Sequence, residues 1–261
     1  MVGIAAGFEE AVGGRRLGEV DSIFDALRRQ EKHYGLVYKA YAHNLKPWVT
    51  SRSKSWDQAM ERLEEFLRDT ERTFGDDPDF AWLAGYYDSV EGELMRRRGD
   101  PARSVAAYTR AITASERPEY LVGRGISYAL SNDRTHAIED FERAIALDGT
   151  YADAYCQRGL QRRLLGQSTD ALADMDQAVQ LDPLNPEYLV SRASVLTLLG
   201  RGEEARLDVT QASTYGGHYP WVQRWRSALF RDVDPAVSQE AYGLSVSLAD
   251  AQGDGIRYPR H

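Results

Sequence analysis

The side chains best suited to binding chemistry lie in residues 32–56, a segment that contains no aspartate or glutamate. Its lysines and arginine alternate with tyrosines and tryptophans. Cations attract anions and aromatic rings stack on bases, so this mixture suits a phosphate-bearing ligand, a nucleic acid or an acidic partner. The predicted contacts of this basic-aromatic segment are Lys39, Lys46, Arg52, Tyr38, Tyr41 and Trp48. The alternative is that the tyrosines pack in a core and the lysines form a solvated face.

Patterns that would indicate catalysis or metal binding are absent from the sequence. There is no glycine-rich phosphate loop, no HExxH pair and no nucleophile elbow. The only cysteine, Cys156, excludes an internal disulfide and a CxxC metal site, and we expect it to act as a small apolar side chain. We therefore predict a non-catalytic protein with no cofactor and no metal. The alternative is an enzyme, or an accessory protein of a biosynthetic enzyme, with a site in the non-repeat flanks near Tyr41, His43 and Trp48.

The overall charge argues against a general binder of polyanions. Acids outnumber bases 40 to 32 in the 261 residues, and the formal net charge is −8. Such a balance disfavours nucleic acids and anionic membrane surfaces as partners. No apolar run of about 18 residues predicts a membrane span, and the first residues lack the basic flank of a signal peptide. We therefore expect a cytoplasmic protein.

The elements that would position a site are set by an internal repeat of 34 residues that begins near residue 118. Small residues recur at Gly125, Gly159 and Ala193, and again at Ala137, Ala171 and Ala205. Two helices can approach closely where both carry small side chains, while larger apolar residues fill the space around the contact. Turn-forming residues fall between the helices, at 132–133, 166–167 and 200–201. Each copy is therefore predicted to be a helix–turn–helix hairpin.

This pattern resembles the tetratricopeptide repeat family, whose units have the same length and the same spacing of small and large residues. Three copies match, at about 118–151, 152–185 and 186–219, and a degenerate copy occupies about 85–117. The resemblance implies an all-α fold, a superhelix of antiparallel helix hairpins over residues 85–219. Around it we predict an irregular helical region over 1–84, capping helices over 220–252 and a loose tail over 253–261.

Charged residues repeat in the same register. Arg124, Arg158 and Arg192 are each followed sixteen residues later by an aspartate, at Asp140, Asp174 and Asp208. Since a buried arginine without a partner costs several kcal/mol, we interpret the rows as partly buried ion pairs. An arginine row that binds an anionic ligand is the alternative.

The family resemblance also implies a binding surface, because such repeats mostly supply concave surfaces for other proteins. We expect an adaptor that binds a peptide or partner protein of basic and apolar character in this groove. A receptor for an anionic ligand, using the basic-aromatic segment, is the alternative. The positions that usually face the groove in the family are Glu119, Val122, Ile126, Asp153, Cys156, Leu160, Arg163, Glu187, Val190, Ser194 and Thr197.

Overall fold

The computed structural model describes residues 81–251, which are helical apart from short connections. Consecutive helices pack as antiparallel hairpins, and the described residues contain no strand. The all-α hairpin architecture predicted from the repeat is therefore confirmed. The helices are α1 (Ala81–Arg98), α2 (Pro101–Ala114), α3 (Pro118–Leu130), α4 (Arg134–Leu147), α5 (Ala152–Leu164), α6 (Ser168–Leu181), α7 (Pro186–Leu198), α8 (Gly202–Gly216), α9 (Pro220–Phe230) and α10 (Pro235–Ala251).

In each of the first four described hairpins, the turn contains one residue in the left-handed backbone conformation. These residues are Gly99 (φ 84°), Asn132 (φ 62°), Gly166 (φ 77°) and Gly200 (φ 75°). The next backbone N–H then bonds to a carbonyl five residues earlier, as Gln167 does to Arg162 at 2.9 Å. This bond satisfies a carbonyl that the helix end leaves without a partner. Glycine and asparagine adopt positive φ more readily than other residues, which explains why the turns lie at the predicted positions.

The helices of each hairpin approach closely where the repeat places its small residues. A Cβ atom added at Gly125 would lie 2.5 Å from the ring of Phe141, too close for any side chain there. The third copy has Ala193 in place of this glycine and the smaller Val209 in place of the phenylalanine, and both are buried. The volume gained on one helix is therefore matched by volume lost on the other.

The chain divides into two compact units with a boundary between Ser115 and Glu116. Hairpin α1/α2, which contains the degenerate copy, belongs to one unit, and helices α3–α10 belong to the other. The predicted repeat region, 85–219, spans this boundary. Within α1/α2, Tyr108 packs against Gly92 and is buried, and the Asp100 carboxylate caps α2 by accepting the N–H of Arg103 at 3.1 Å.

In the unit that follows residue 115, the first helices of successive hairpins, α3, α5, α7 and α9, contact one another in a row. Each second helix packs between the first helix of its own hairpin and that of the next. The first helices therefore lie along the inner wall of the stack, as in other helical solenoids. Helix α10 begins at Pro235, where the Asp234 carboxylate accepts the N–H groups of Ala236 and Val237 at 3.1 and 3.2 Å.

Candidate binding face on the first helices

The arginine and aspartate rows meet inside the hairpins. Arg124 donates from Nε and Nη2 to the two carboxylate oxygens of Asp140, at 2.8 and 2.7 Å. The same fork joins Arg158 to Asp174 at 3.1 and 2.7 Å. It also joins Arg192 to Asp208 at 2.8 and 2.6 Å. All three aspartates are buried. The two rows thus form bidentate pairs, the strongest geometry available to arginine and carboxylate.

These pairs also tie neighbouring hairpins together. Arg192, on α7, donates to Asp176 on α6 at 3.1 Å, so one guanidinium bonds within its own hairpin and to the preceding one. Hydrogen bonding to Asp140 raises the pKa of Arg124, and hydrogen bonding to Asp208 raises the pKa of Arg192. The arginine charges are neutralised by buried carboxylates, which leaves them poorly placed to bind an anionic ligand.

The residues assigned to the groove differ in exposure. Glu187 and Thr197 are exposed, and five others are half-buried. The half-buried set is Glu119, Ile126, Asp153, Leu160 and Arg163. The Arg163 Nε atom is buried and has no hydrogen-bond partner among the described residues. These seven side chains can contact a partner on the inner wall.

The other four residues assigned to the groove are buried and cannot line an open surface: Val122, Cys156, Val190 and Ser194. The physical reason is visible at Cys156, whose thiol hydrogen-bonds to Ser191 on the first helix of the next hairpin. Cys156 therefore lies at the contact between neighbouring first helices, and the burial of all four residues corrects their placement on the open wall. Burial raises the pKa of Cys156 to about 12, so its thiol is protonated at neutral pH and cannot act as a nucleophile.

The structure adds a row of leucines that the sequence analysis missed. Leu130, Leu164 and Leu198 stand at the end of α3, α5 and α7 and are 38%, 54% and 59% exposed. They recur every 34 residues. That spacing was a signal in the sequence, but an apolar residue at a helix end is normally assigned to the core. Only the exposure of these leucines in the structure shows that they contribute to a surface.

Each leucine lies on the same side of its helix as an acid in the first turn. Eleven residues separate Glu119 from Leu130, and the same interval recurs in the next two first helices. Eleven residues make about three helical turns and a rise of about 16 Å, so both side chains point in nearly the same direction. We call this surface the acid–leucine face: Glu119, Asp153 and Glu187 at one end, Leu130, Leu164 and Leu198 at the other.

Glu119 and Asp153 interact with neighbouring side chains. Glu119 pairs with Arg117 at 2.8 Å, and both side chains are about 40% exposed. Asp153 accepts the Tyr188 hydroxyl at 2.5 Å. Burial, together with this bond, raises the pKa of Tyr188, so the phenol stays protonated and remains a donor to Asp153. The carboxylate of Asp153 is thus bonded to a neutral group, whereas that of Glu119 is paired with a cation.

The remaining sequence-based candidates lie elsewhere. The basic-aromatic segment, with Lys39, Lys46, Arg52, Tyr38, Tyr41 and Trp48, is outside the described residues. Most of the irregular helical region predicted over 1–84 and the loose tail predicted over 253–261 also lie outside them. Between residues 81 and 251, no three histidine, cysteine or carboxylate side chains group closely enough to hold a metal ion. Over the same range, no helix has the length and apolar character needed to cross a bilayer.

Comparison with known proteins identifies the repeat. A family model of the tetratricopeptide repeat matches residues 90–152 and 157–214. No curated protein matches the chain by sequence. The two matched ranges contain hairpins α3/α4, α5/α6 and α7/α8 almost completely, and also part of α1/α2. The acid–leucine face therefore lies on the repeats that the family model recognises.

Solved structures show the same fold. Yeast Tom70 aligns with a TM-score of 0.65 at 18% identity, over 85% of this chain and 46% of its own. TTC0263, a thermophilic repeat protein of Thermus thermophilus, aligns at 0.58 and 17% identity, over 66% and 94%. MamA from Desulfovibrio magneticus RS-1, from residue 41 to its end, aligns at 0.52 and 16% identity, over 65% and 97%. At these identities the likeness concerns the fold alone.

Proposed function

The chain belongs to the tetratricopeptide repeat family, and from that premise we propose that it is a non-catalytic adaptor that binds another polypeptide along its acid–leucine face. The observation that carries the proposal is the row of exposed leucines at Leu130, Leu164 and Leu198, one on each of three consecutive first helices. Helical solenoids use such inner walls as extended binding surfaces.

Single exposed leucines are common on protein surfaces, but three at equivalent positions on a preassembled wall form a continuing apolar strip. Covering such side chains removes apolar surface from water, at about 25 cal/mol per Å². Because the strip is held by packed helices, a bound chain loses less ordering entropy than it would on a flexible surface. The leucines would therefore supply most of the affinity.

The acids at the other end of the face would select for charge. Glu119, Asp153 and Glu187 favour a partner with lysine or arginine side chains, because complementary charge speeds association and fixes orientation. We therefore expect a partner with both apolar and basic side chains.

The spacing of the hairpins constrains the pattern in that partner. Packed helices are about 8–10 Å apart, so successive leucines of the row recur at about this interval. An extended chain covers that distance in about three residues, and an α-helix in about six or seven. The partner is accordingly expected to present an apolar residue every third position if extended, or about one per two turns if helical.

The test is selection of twelve-residue peptides displayed on phage, using the full chain as bait. We expect enriched peptides to carry apolar residues at one of those intervals together with lysine or arginine. Their affinities are then measured for a Leu130→Ser, Leu164→Ser, Leu198→Ser triple variant. If about two of the three leucines contact a given peptide, their loss should weaken the binding of that peptide at least tenfold.

The matched control replaces three exposed leucines that lie outside the face, Leu147, Leu207 and Leu244, with serine. This variant removes the same number of exposed leucines and should retain the affinity of the unmodified chain. Selected peptides that bind both triple variants equally, or no enrichment over a bait-free selection, would overturn the proposal.

A further inference from the structure

A pocket of about 580 Å³ opens where the start of α7, the end of α8 and the start of α9 meet. One side is aromatic, with Tyr215, Tyr219 and Trp221 about two-fifths exposed. Neighbouring rings are in contact. Tyr219 stacks on Trp221 with ring centroids 5.7 Å apart, and the His218 ring centroid lies 4.0 Å from that of Tyr219. The rest of the lining comes from Asp182, Leu184, Asn185, Pro186 and Glu187, so two acidic residues border the rings. We call this the aromatic–acid pocket.

Elsewhere in the chain, an aromatic ring and a carboxylate together hold an arginine side chain. The guanidinium of Arg124 lies over the Tyr128 ring, 5.8 Å from its centroid, and pairs with the Asp140 carboxylate. The next repeat builds the same sandwich from Arg158, which lies 5.7 Å from the Tyr155 centroid and pairs with Asp174. Aromatic ring, arginine and carboxylate thus occur together at Arg124 and Arg158. A third case is Arg117, which lies 5.7 Å from the Tyr120 centroid and pairs with Glu119.

The aromatic–acid pocket has the ring and the carboxylate without the arginine. Among the described residues that line it there is no lysine or arginine, and none of the described arginines lies over Tyr215, Tyr219 or Trp221. The partly exposed rings and the acidic residues together favour a flat cation from outside the chain.

The helix ends around the pocket do not cancel this preference. The last turn of α8 carries partial negative charge and attracts cations, while the first turn of α7 carries the opposite charge. The two ends are packed tightly, since a Cβ atom at Gly216 would lie 2.7 Å from Pro186. At the α7 end, Asn185 caps the backbone N–H of Glu187 at 3.0 Å, and the Glu187 side chain adds a full negative charge. Asp182 and Glu187 thus place two acidic side chains beside these helix ends.

We propose that the aromatic–acid pocket binds the guanidinium group of an arginine on the bound polypeptide, stacked on Tyr219 and Trp221 and paired with Asp182. This inference rests on the proposed function, because it assigns a side chain of the same partner. A guanidinium suits the site better than an ammonium: it is flat, stacks on rings and forms two parallel bonds to a carboxylate.

The test measures binding of acetyl-Gly-Arg-Gly-amide to the full chain by NMR titration of the tryptophan indole signals, with Trp221 assigned by its loss in Trp221→Leu. The comparators replace arginine with citrulline, which keeps the shape without the charge, or with lysine, which keeps the charge without the plane. We expect at least about tenfold weaker binding of the citrulline peptide and a smaller loss for lysine, as expected for a stacked, charge-assisted contact. Free L-arginine is a fourth ligand, and tighter binding of it than of the peptide would assign the pocket to a small molecule.

Two variants locate the site. Asp182→Asn and Trp221→Leu should each weaken the arginine peptide at least about fivefold, while the controls Glu139→Gln and Tyr242→Leu leave it unchanged. If Trp221→Leu melts earlier than the unmodified chain, Trp221→Phe, which retains a ring, should bind with intermediate affinity. Equal binding of the arginine and citrulline peptides by the unmodified chain, or equal binding by Asp182→Asn, would overturn the inference.

The Leu130→Ser, Leu164→Ser, Leu198→Ser variant separates this inference from the proposed function. It should bind the arginine tripeptide normally while losing the selected twelve-residue peptides. If selected peptides bind but the tripeptide does not, the adaptor role stands and the pocket assignment is wrong. The reverse result would reject the acid–leucine face and leave the pocket intact.

Discussion

Two rows of side chains share the 34-residue register but have opposite surroundings. The arginine–aspartate row lies inside the hairpins, where each guanidinium fork meets a buried carboxylate, as Arg124 meets Asp140. The row Leu130, Leu164, Leu198 stands on the inner wall with at least a third of each side chain in water. The arginine–aspartate row is therefore satisfied within the chain, whereas the leucine row is left open. The open row is the one that the proposed function assigns to a partner.

The hairpin α1/α2 shows that the paired row belongs to the in-register repeats. There Arg110 lies on the second helix and bonds to Asp88 and Glu91 on the first, at 2.7 and 2.6 Å, so the polarity of the pair is reversed. The pair is also more exposed, with about half of the Arg110 side chain in water. The degenerate copy has kept a charge contact between its helices without the buried geometry.

The largest expected effect is on the paired row. Replacing Asp140 with alanine leaves the Arg124 guanidinium buried without its carboxylate, which costs about 3–5 kcal/mol of unfolding free energy. Urea denaturation followed by circular dichroism measures the loss. Replacing both residues, as Arg124→Met with Asp140→Leu, should recover most of it, because a buried pair can be exchanged for apolar residues at little cost.

The control for this change is an exposed pair of the same kind. Arg201 and Glu204 are joined at 2.6 Å with about half of each side chain in water. Glu204→Gln should leave the denaturation midpoint nearly unchanged, since exposed ion pairs are screened by solvent. Equal destabilisation by Asp140→Ala and Glu204→Gln would remove the distinction between a buried structural row and ordinary surface charge.

A smaller effect is expected at the close contact between hairpin helices. Gly125→Ala places a methyl group against the Phe141 ring and should destabilise the chain by about 1–3 kcal/mol. In a Phe141→Val background, which imitates the third repeat with Ala193 and Val209, the same change should be neutral or stabilising by up to about 1 kcal/mol, because alanine favours helix over glycine. A double-mutant cycle in urea measures the coupling. No change of sign between the two backgrounds would show that this contact is not what selects glycine.

The smallest effect on stability is expected from the open row. The Leu130→Ser, Leu164→Ser, Leu198→Ser variant should lose no more than about 1 kcal/mol in total, since exposed positions contribute little to folding. Its binding of the fluorescent dye anilinonaphthalene sulfonate should fall below that of the control triple at Leu147, Leu207 and Leu244. A loss of stability as large as that of Asp140→Ala would show that the leucines belong to the core.

Much of the fold could be predicted from the sequence because the repeat carries its own geometry. Gly166 and Gly200 mark turns that need positive φ, and the interval from Arg158 to Asp174 spans one hairpin. The binding face was predicted less well. Val122 and Cys156 occupy positions typical of a groove, yet both are buried. Leu164 has the type of a core residue, yet it is exposed.

By itself the sequence determined the hairpins, their turns and the pairing of their buried charges, because those features depend on residues within one 34-residue copy and on backbone preferences that act locally. Tertiary structure alone decided which side chains stay open: the burial of Cys156, the exposure of Leu130, Leu164 and Leu198, and the meeting of Asp182 with Trp221 in one pocket. Exposure depends on the angle at which one hairpin packs on the next, and that angle results from many contacts between residues far apart in the chain.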